Sequence, residues 1–215
     1  MLVIDGLGLG GAEMVVRDLV RNVDSDRFDV SVCCTKGLGG SIGEELRDEG
    51  VPVFVLPGRK DGKTQYFAAS RLRHLIKQLD IDIVHTHATP ALYEAAPCRF
   101  TLPGVRLIHT FHYGNYPYDQ RRQHWLEYFF SRAADRLIAV GIEQGNRILE
   151  TYGFSKGQIG TVWNGVTVSI PDAPSGFRAD YGPPGTLLVG TIAKLIHQKG
   201  LDHLLDVARR CKDFG

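Results

Sequence analysis

A chain of 215 residues can hold one large domain or one and a half ordinary ones, and its 43% hydrophobic and 23% charged content suits a soluble globular protein with a real core. A net charge of +1 implies no bulk electrostatic attraction to nucleic acid or to an anionic membrane. Cys33, Cys34, Cys98 and Cys211 show no CxxC spacing, which excludes a disulfide framework and points to reduced packing residues in a cytosolic protein.

Met1 to Asp5 reads as a strand with neither a basic n-region nor a cleavage site, so it is not a signal peptide. Asp5-Gly-Leu-Gly-Leu-Gly-Gly11 follows, and Met14, Val15, Val16, Leu19 and Val20 then have helical period. Further apolar runs at Phe28–Cys33, Val51–Leu56, Ile81–His85, Val105–Thr110, Arg136–Val140 and Ile159–Val162 read as strands. Between them, Leu72, Leu75, Ile76 and Leu79 predict one amphipathic helix, and Trp125, Leu126, Phe129 and Phe130 another. This alternation predicts an α/β fold with a Rossmann-like, doubly wound parallel sheet. Asn164 to Gly185, rich in glycine and proline, reads as a linker. Leu187 to Ile192 then reads as a strand, with a new helix opening at Gly200. The division expected is a first domain over 1–165, a linker over 166–185, and a truncated βα unit of a second Rossmann-like domain over 186–215. No apolar run approaches the length of a membrane span.

Several residues could carry chemistry. Gly8, Gly10 and Gly11 would let backbone approach a ligand at a helix N-terminus, although a plain tight turn has the same pattern. A dinucleotide fingerprint needs a carboxylate after the second strand, and here that strand ends Cys33-Cys34-Thr35-Lys36. His85 and His87 end one strand, and His109 and His112 the next, which suits a crevice at the carboxyl edge of the sheet, although a packed, hydrogen-bonded histidine has the same pattern. The sequence after His87 supplies no acid until Glu94, so no metal is expected. Tyr113, Arg121 and Arg122 read as a polar loop suited to an acceptor, in competition with an ordinary solvated loop. Lys194 and Lys199 flank a strand-to-helix turn, where paired cations receive a diphosphate. Arg71, Arg73, His74 and Lys77 offer a basic helix face for peripheral membrane contact, in competition with an ordinary solvated face.

Taken in order, Gly6-Leu-Gly-Leu-Gly-Gly-Ala-Glu13, Asp82 to His87, Thr110 to His112, Asp135 to Val140, Trp163 to Val166 and Lys194 to Gly200 resemble the retaining family-4 glycosyltransferases. The resemblance implies the GT-B arrangement of two facing Rossmann-like domains, acceptor on the first and nucleotide-sugar on the second. It implies that Gly10 and Gly11 lie against the donor diphosphate, and that His112 hydrogen-bonds the transferring sugar as the catalytic residue. Asn164 and Gly165 match the hinge, and Lys194 and Lys199 match the pair that neutralises the leaving diphosphate. Family members usually carry arginine at the position of Lys194, have a serine at Gly141, and begin a few residues earlier. The family's Glu-x7-Glu donor motif has no counterpart, since no glutamate follows Glu150.

The expectation is a glycosyltransferase fragment of hexosyltransferase type, inactive as it stands. The intact enzyme would move a sugar from a nucleotide-sugar to a sugar or lipid-linked acceptor with retention. It would need no cofactor, no metal and no nucleic acid, and would work in the cytoplasm or on the inner membrane face. The alternatives are a GT-B nucleotide-sugar epimerase and a non-catalytic sugar- or lipid-binding module that pairs with a partner chain.

Overall fold

The computed structural model describes residues 1–57, 68–112, 121–155, 157–168, 181–183, 185, 187–193 and 195–212. The chain divides into two compact units, Met1–Thr167 and Val168–Gly215. In the first unit β1 (Leu2–Gly6), α1 (Gly11–Asn22), β2 (Val32–Leu38), α2 (Gly40–Asp48) and β3 (Val53–Val55) come first. They are followed by α3 (Ala69–Gln78), β4 (Ile83–His87), α4 (Thr89–Thr101), β5 (Arg106–Phe111), α5 (Arg121–Ser131), β6 (Arg136–Ala139), α6 (Ile142–Tyr152) and β7 (Ile159–Thr161).

All seven strands are parallel, in the spatial order β3-β2-β1-β4-β5-β6-β7. The chain steps outward from β1 to β3, returns to the far side of β1, and steps the other way. Because crossovers are right-handed, this reversal puts α1 and α2 on one face and α3 to α6 on the other. Side-chain alternation shows the same partition. Ile4, Val32 and Cys34 pack with Val16 and Val20 of α1 and Ile42 and Leu46 of α2. Their immediate neighbours Val3 and Cys33 pack instead with Leu72 and Ile76 of α3 and Leu92 and Ala95 of α4. A third cluster joins Phe111, Leu137 and Ala139 to Ile148 and Tyr152 of α6. Beyond β1 the first face carries no helix of this unit among the described residues.

Three local expectations are corrected. The second strand begins at Val32 rather than Phe28, because Arg27 and Phe28 donate their amides back to the Asp24 carbonyl and close a turn first. The helix carrying Trp125 and Phe129 does bury one face, but Trp125 and Phe129 are 65% and 64% exposed. Its buried face centres on Glu127 and Ser131, 0% and 1% exposed. Glu127 is tolerated there because Thr89 Oγ1 donates to Oε1 at 2.9 Å and the Tyr152 hydroxyl donates to Oε2 at 2.6 Å. In the second unit, Leu187 to Ile192 forms no strand, and Leu187 and Ile192 lie open to solvent. A lone extended segment has no neighbour to pair its amides and carbonyls, and β structure needs one. A 3-10 turn (His197–Lys199) and Gly200, at φ 62°, then lead into α7 (Leu201–Lys212).

The turn after β1 is held from below. Leu7 is fully buried, its carbonyl accepts the Ile42 amide at 3.1 Å, and Gly40 sits beside it at φ 61°. A Cβ at Gly40 would strike the Leu7 carbonyl, so this glycine is a requirement of the fold. Gly40→Ala is expected to cost about 2 kcal/mol or more, read as a lower midpoint in urea unfolding. Gly104→Ala, at an exposed site where a Cβ meets nothing, serves as the control and should shift stability by less than about 0.5 kcal/mol.

Candidate functional site

The reversal of strand order lies between β1 and β4, and in open parallel sheets ligands bind outside the carboxyl ends of the strands at that point. Two segments singled out in the sequence meet this edge. Gly10 is the N-cap of α1 and Gly11 its first residue, at the end of the turn that leaves β1. A Cβ at Gly11 would meet nothing, and one at Gly10 only the flexible carboxylate end of Glu13. Unlike Gly40, neither is demanded by packing within the fold.

The histidines end the neighbouring strands. His87 Nδ1 and His112 Nε2 are 2.9 Å apart, and the His85 ring lies 4.2 Å from that of His87. His85 Nε2 bonds the Thr110 hydroxyl at 2.8 Å. His85 and His87 border a cavity of about 610 Å³ on the face that holds α1, together with Val15, Leu19, Ile138 and Trp163. His109 points the other way: it packs edge-on against Phe111 and bonds the Thr86 hydroxyl at 2.8 Å. With the Thr86 proton directed to the Ile108 carbonyl, His109 Nδ1 is the donor in that contact. The structure therefore joins His85, His87 and His112 in one cluster and turns His109 away from it.

Burial holds all four rings neutral. It pushes His85 and His112 down to about 4 and His109 to about 3, and drives His87 well below the usual range. Neighbouring imidazoles add repulsion at His85, His87 and His109. The contact between His87 and His112 needs one proton between the two nitrogens, so protonating both rings would set two N–H groups against each other. A neutral His112 can offer one donor or one acceptor to a hydroxyl, and His87 decides which.

Arg121 and Arg122 are exposed at the start of α5. Tyr113 and Lys194 lie outside the described residues. Lys199 is exposed at the end of the 3-10 turn in the second unit, and Asn164 and Gly165 line the cavity. Two features of this edge escape a reading of the sequence. Lys36 Nζ reaches Asp5 Oδ2 at 2.6 Å, pairing the ends of β2 and β1. Burial nevertheless pushes the Asp5 carboxyl up, against the pull of Lys36. Gln144 accepts the Val140 amide at 2.8 Å and donates to the Phe111 carbonyl at 3.1 Å, tying together the ends of β6 and β5. A charge at each of two strand ends was the available signal for the first; nothing in the sequence marked the second. Gly141 caps α6 without a side-chain bond, and a Cβ there would meet only Trp163, at 4.0 Å.

The neutral cluster has a consequence for acid stability. Each of these histidines has a lower pKa folded than unfolded, so the unfolded chain binds more protons below about 6.5. The histidine contribution should be level above that pH and fall on acidification down to about 4, by about 1.4 kcal/mol per pH unit for each histidine. Urea unfolding at a series of pH values reads this slope, and His109→Gln should make it shallower.

The model of the family described as Glycosyltransferase Family 4 matches residues 9–169. No curated protein matches the chain in sequence. Among solved structures, HepE from Anabaena in complex with UDP-glucose superposes with a TM-score of 0.62 at 18% identity, over 77% of this chain and 43% of that one. MurG from Acinetobacter baumannii gives 0.54 at 14%, over 78% and 46%. A putative UDP-N-acetylglucosamine 2-epimerase from Listeria monocytogenes gives 0.50 at 17%, over 74% and 43%. The chain spans less than half the length of each of these structures, and at such identities they bear on fold alone. The family match extends over most of the chain, from the glycine turn to just past the end of the first unit, and this chain belongs to glycosyltransferase family 4.

Proposed function

We propose that residues 1–165 are the acceptor side of a hexosyltransferase that moves a sugar from a nucleotide donor to an acceptor hydroxyl with retention of configuration. The observation that carries this reading is the neutral His87–His112 pair at the strand-order reversal. An imidazole held neutral by burial and oriented by a second imidazole is suited to hydrogen-bonding a sugar hydroxyl through a transition state without supplying charge. The open space at Gly11, beside the amides that begin α1, supports a place for the donor diphosphate, with the Glu13 carboxylate lying against Gly10. In this reading 166–185 is the linker and 186–215 opens the donor domain, whose Lys194 and Lys199 neutralise the leaving diphosphate. Lysine supplies a point charge there, so neither metal nor cofactor is called for. His85, His87, Tyr113, Arg121 and Arg122 face the acceptor, a sugar or a lipid-linked sugar. The protein works in the cytoplasm and in peripheral contact with the inner membrane face. Among the described residues no helix is long and apolar enough to cross a membrane.

The epimerase likeness supports a second reading, in which a nucleotide-sugar is inverted rather than transferred. Product analysis separates the two: a new glycoside for transfer, a free epimerised sugar nucleotide for epimerisation. The 215-residue chain alone is expected to give no transfer from UDP-glucose, and robust turnover would contradict its reading as an incomplete enzyme. When a nucleotide-sugar-binding half is supplied, on one polypeptide or in trans, His112→Ala should lower kcat by about a hundredfold with the fold intact. Unchanged kcat in that variant would remove His112 from the chemistry.

A further inference from the structure

The exposed face of α5 is unusual for a helix in a water-facing layer. Arg121, Arg122, Trp125 and Phe129 fall within a sector of about 100° on the helix surface, opposite the buried Glu127 and Ser131. Trp125 and Phe129 sit one turn apart and remain largely open to solvent. The remaining carboxylate of the helix, Glu127, is buried and bonded, so the exposed surface of α5 has arginines and no acid. Arg121 and Arg122 also occupy the first turn, where the helix dipole favours anions, and they make no ion pair among the described residues. Two cations held at a helix start, followed by an exposed indole and phenyl on the same side, are complementary to an anionic surface with an apolar layer beneath it. Indole and phenyl rings settle at the level of lipid headgroups, and arginines pair with the phosphates.

We propose that the Arg121–Arg122–Trp125–Phe129 face of α5 docks this protein on an anionic lipid bilayer. The proposal rests on the membrane contact proposed above and names its surface, moving it from α3. On α3, Arg71 donates to the Pro57 carbonyl at 3.3 Å and Arg73 to the Thr101 hydroxyl at 3.1 Å, and the apolar residues Leu72 and Ile76 are buried in the core. That helix has cations but no exposed aromatic pair. Docking through α5 would bring its first turn to the headgroups, where an acceptor carried on a lipid presents its sugar.

The test uses the full chain with Trp163→Phe, which leaves Trp125 as the only tryptophan. Phosphatidylcholine vesicles with and without phosphatidylglycerol are added. Binding to the anionic vesicles alone is expected, with a blue shift of Trp125 emission and quenching by brominated lipid. Trp125→Ser with Phe129→Ser should reduce sedimentation with vesicles about tenfold or more, with the circular dichroism spectrum unchanged. Arg122→Gln should reduce it about fivefold. Binding that survives the double substitution, or a Trp125 signal unmoved while the protein is bound, overturns the assignment to α5 and leaves the membrane contact standing. Absence of binding to either vesicle overturns both. A concentration-dependent dimer that the double substitution abolishes assigns the face to a second copy of the chain, which also overturns the proposal. None of these outcomes depends on sugar transfer.

Discussion

The direction change between β1 and β4 organises the first unit. β1 is bracketed on both sides, with Leu2 in register with Val32 of β2 and with His85 of β4. Right-handed crossovers on either side of this central strand send helices to opposite faces. At the carboxyl end of the same strand the two chain directions diverge and leave a crevice that packing does not fill. Connectivity sets the glycine turn at the end of β1 and the histidines at the ends of the neighbouring strands β4 and β5.

Charge management sets the character of that crevice. Four imidazoles within two adjacent strands are tolerable only while they stay neutral, and their burial enforces this at physiological pH. Hydrogen bonding then orients them: His85 bonds the Thr110 hydroxyl, His109 donates to the Thr86 hydroxyl, and His87 bonds His112. Nearby, the Asp5–Lys36 pair keeps a charge at the end of β1, half-shielded from solvent. The edge thus combines a neutral donor–acceptor cluster with an ion pair.

The buried Glu127 has an influence beyond its own site. By taking hydrogen bonds from Thr89 of α4 and Tyr152 of α6, it fixes the rotation of α5 between its two neighbours. With Glu127 facing in, Trp125 and Phe129 must face out. The aromatic face is therefore a consequence of a polar lock, and it persists despite the hydrophobic cost of leaving both rings in water.

Much of this was legible in the amino acids. Alternating β-branched runs and helical periods announced a parallel doubly wound sheet, since each pattern matches the geometry of one element and its burial. The glycine turn and the histidine pairs read as strand-end residues, and the structure has them at the carboxyl ends of β1, β4 and β5. What tertiary structure decided was everything that depends on a partner distant in the chain. Periodicity could not phase α5, because the residues that bury Glu127 lie on α4 and α6. It could not tell that His109 faces away from its companions, since alternation gives two faces without saying which is covered. It could not deny strand geometry to Leu187–Ile192, because a strand is a property of a pair and no residue pattern supplies the neighbour.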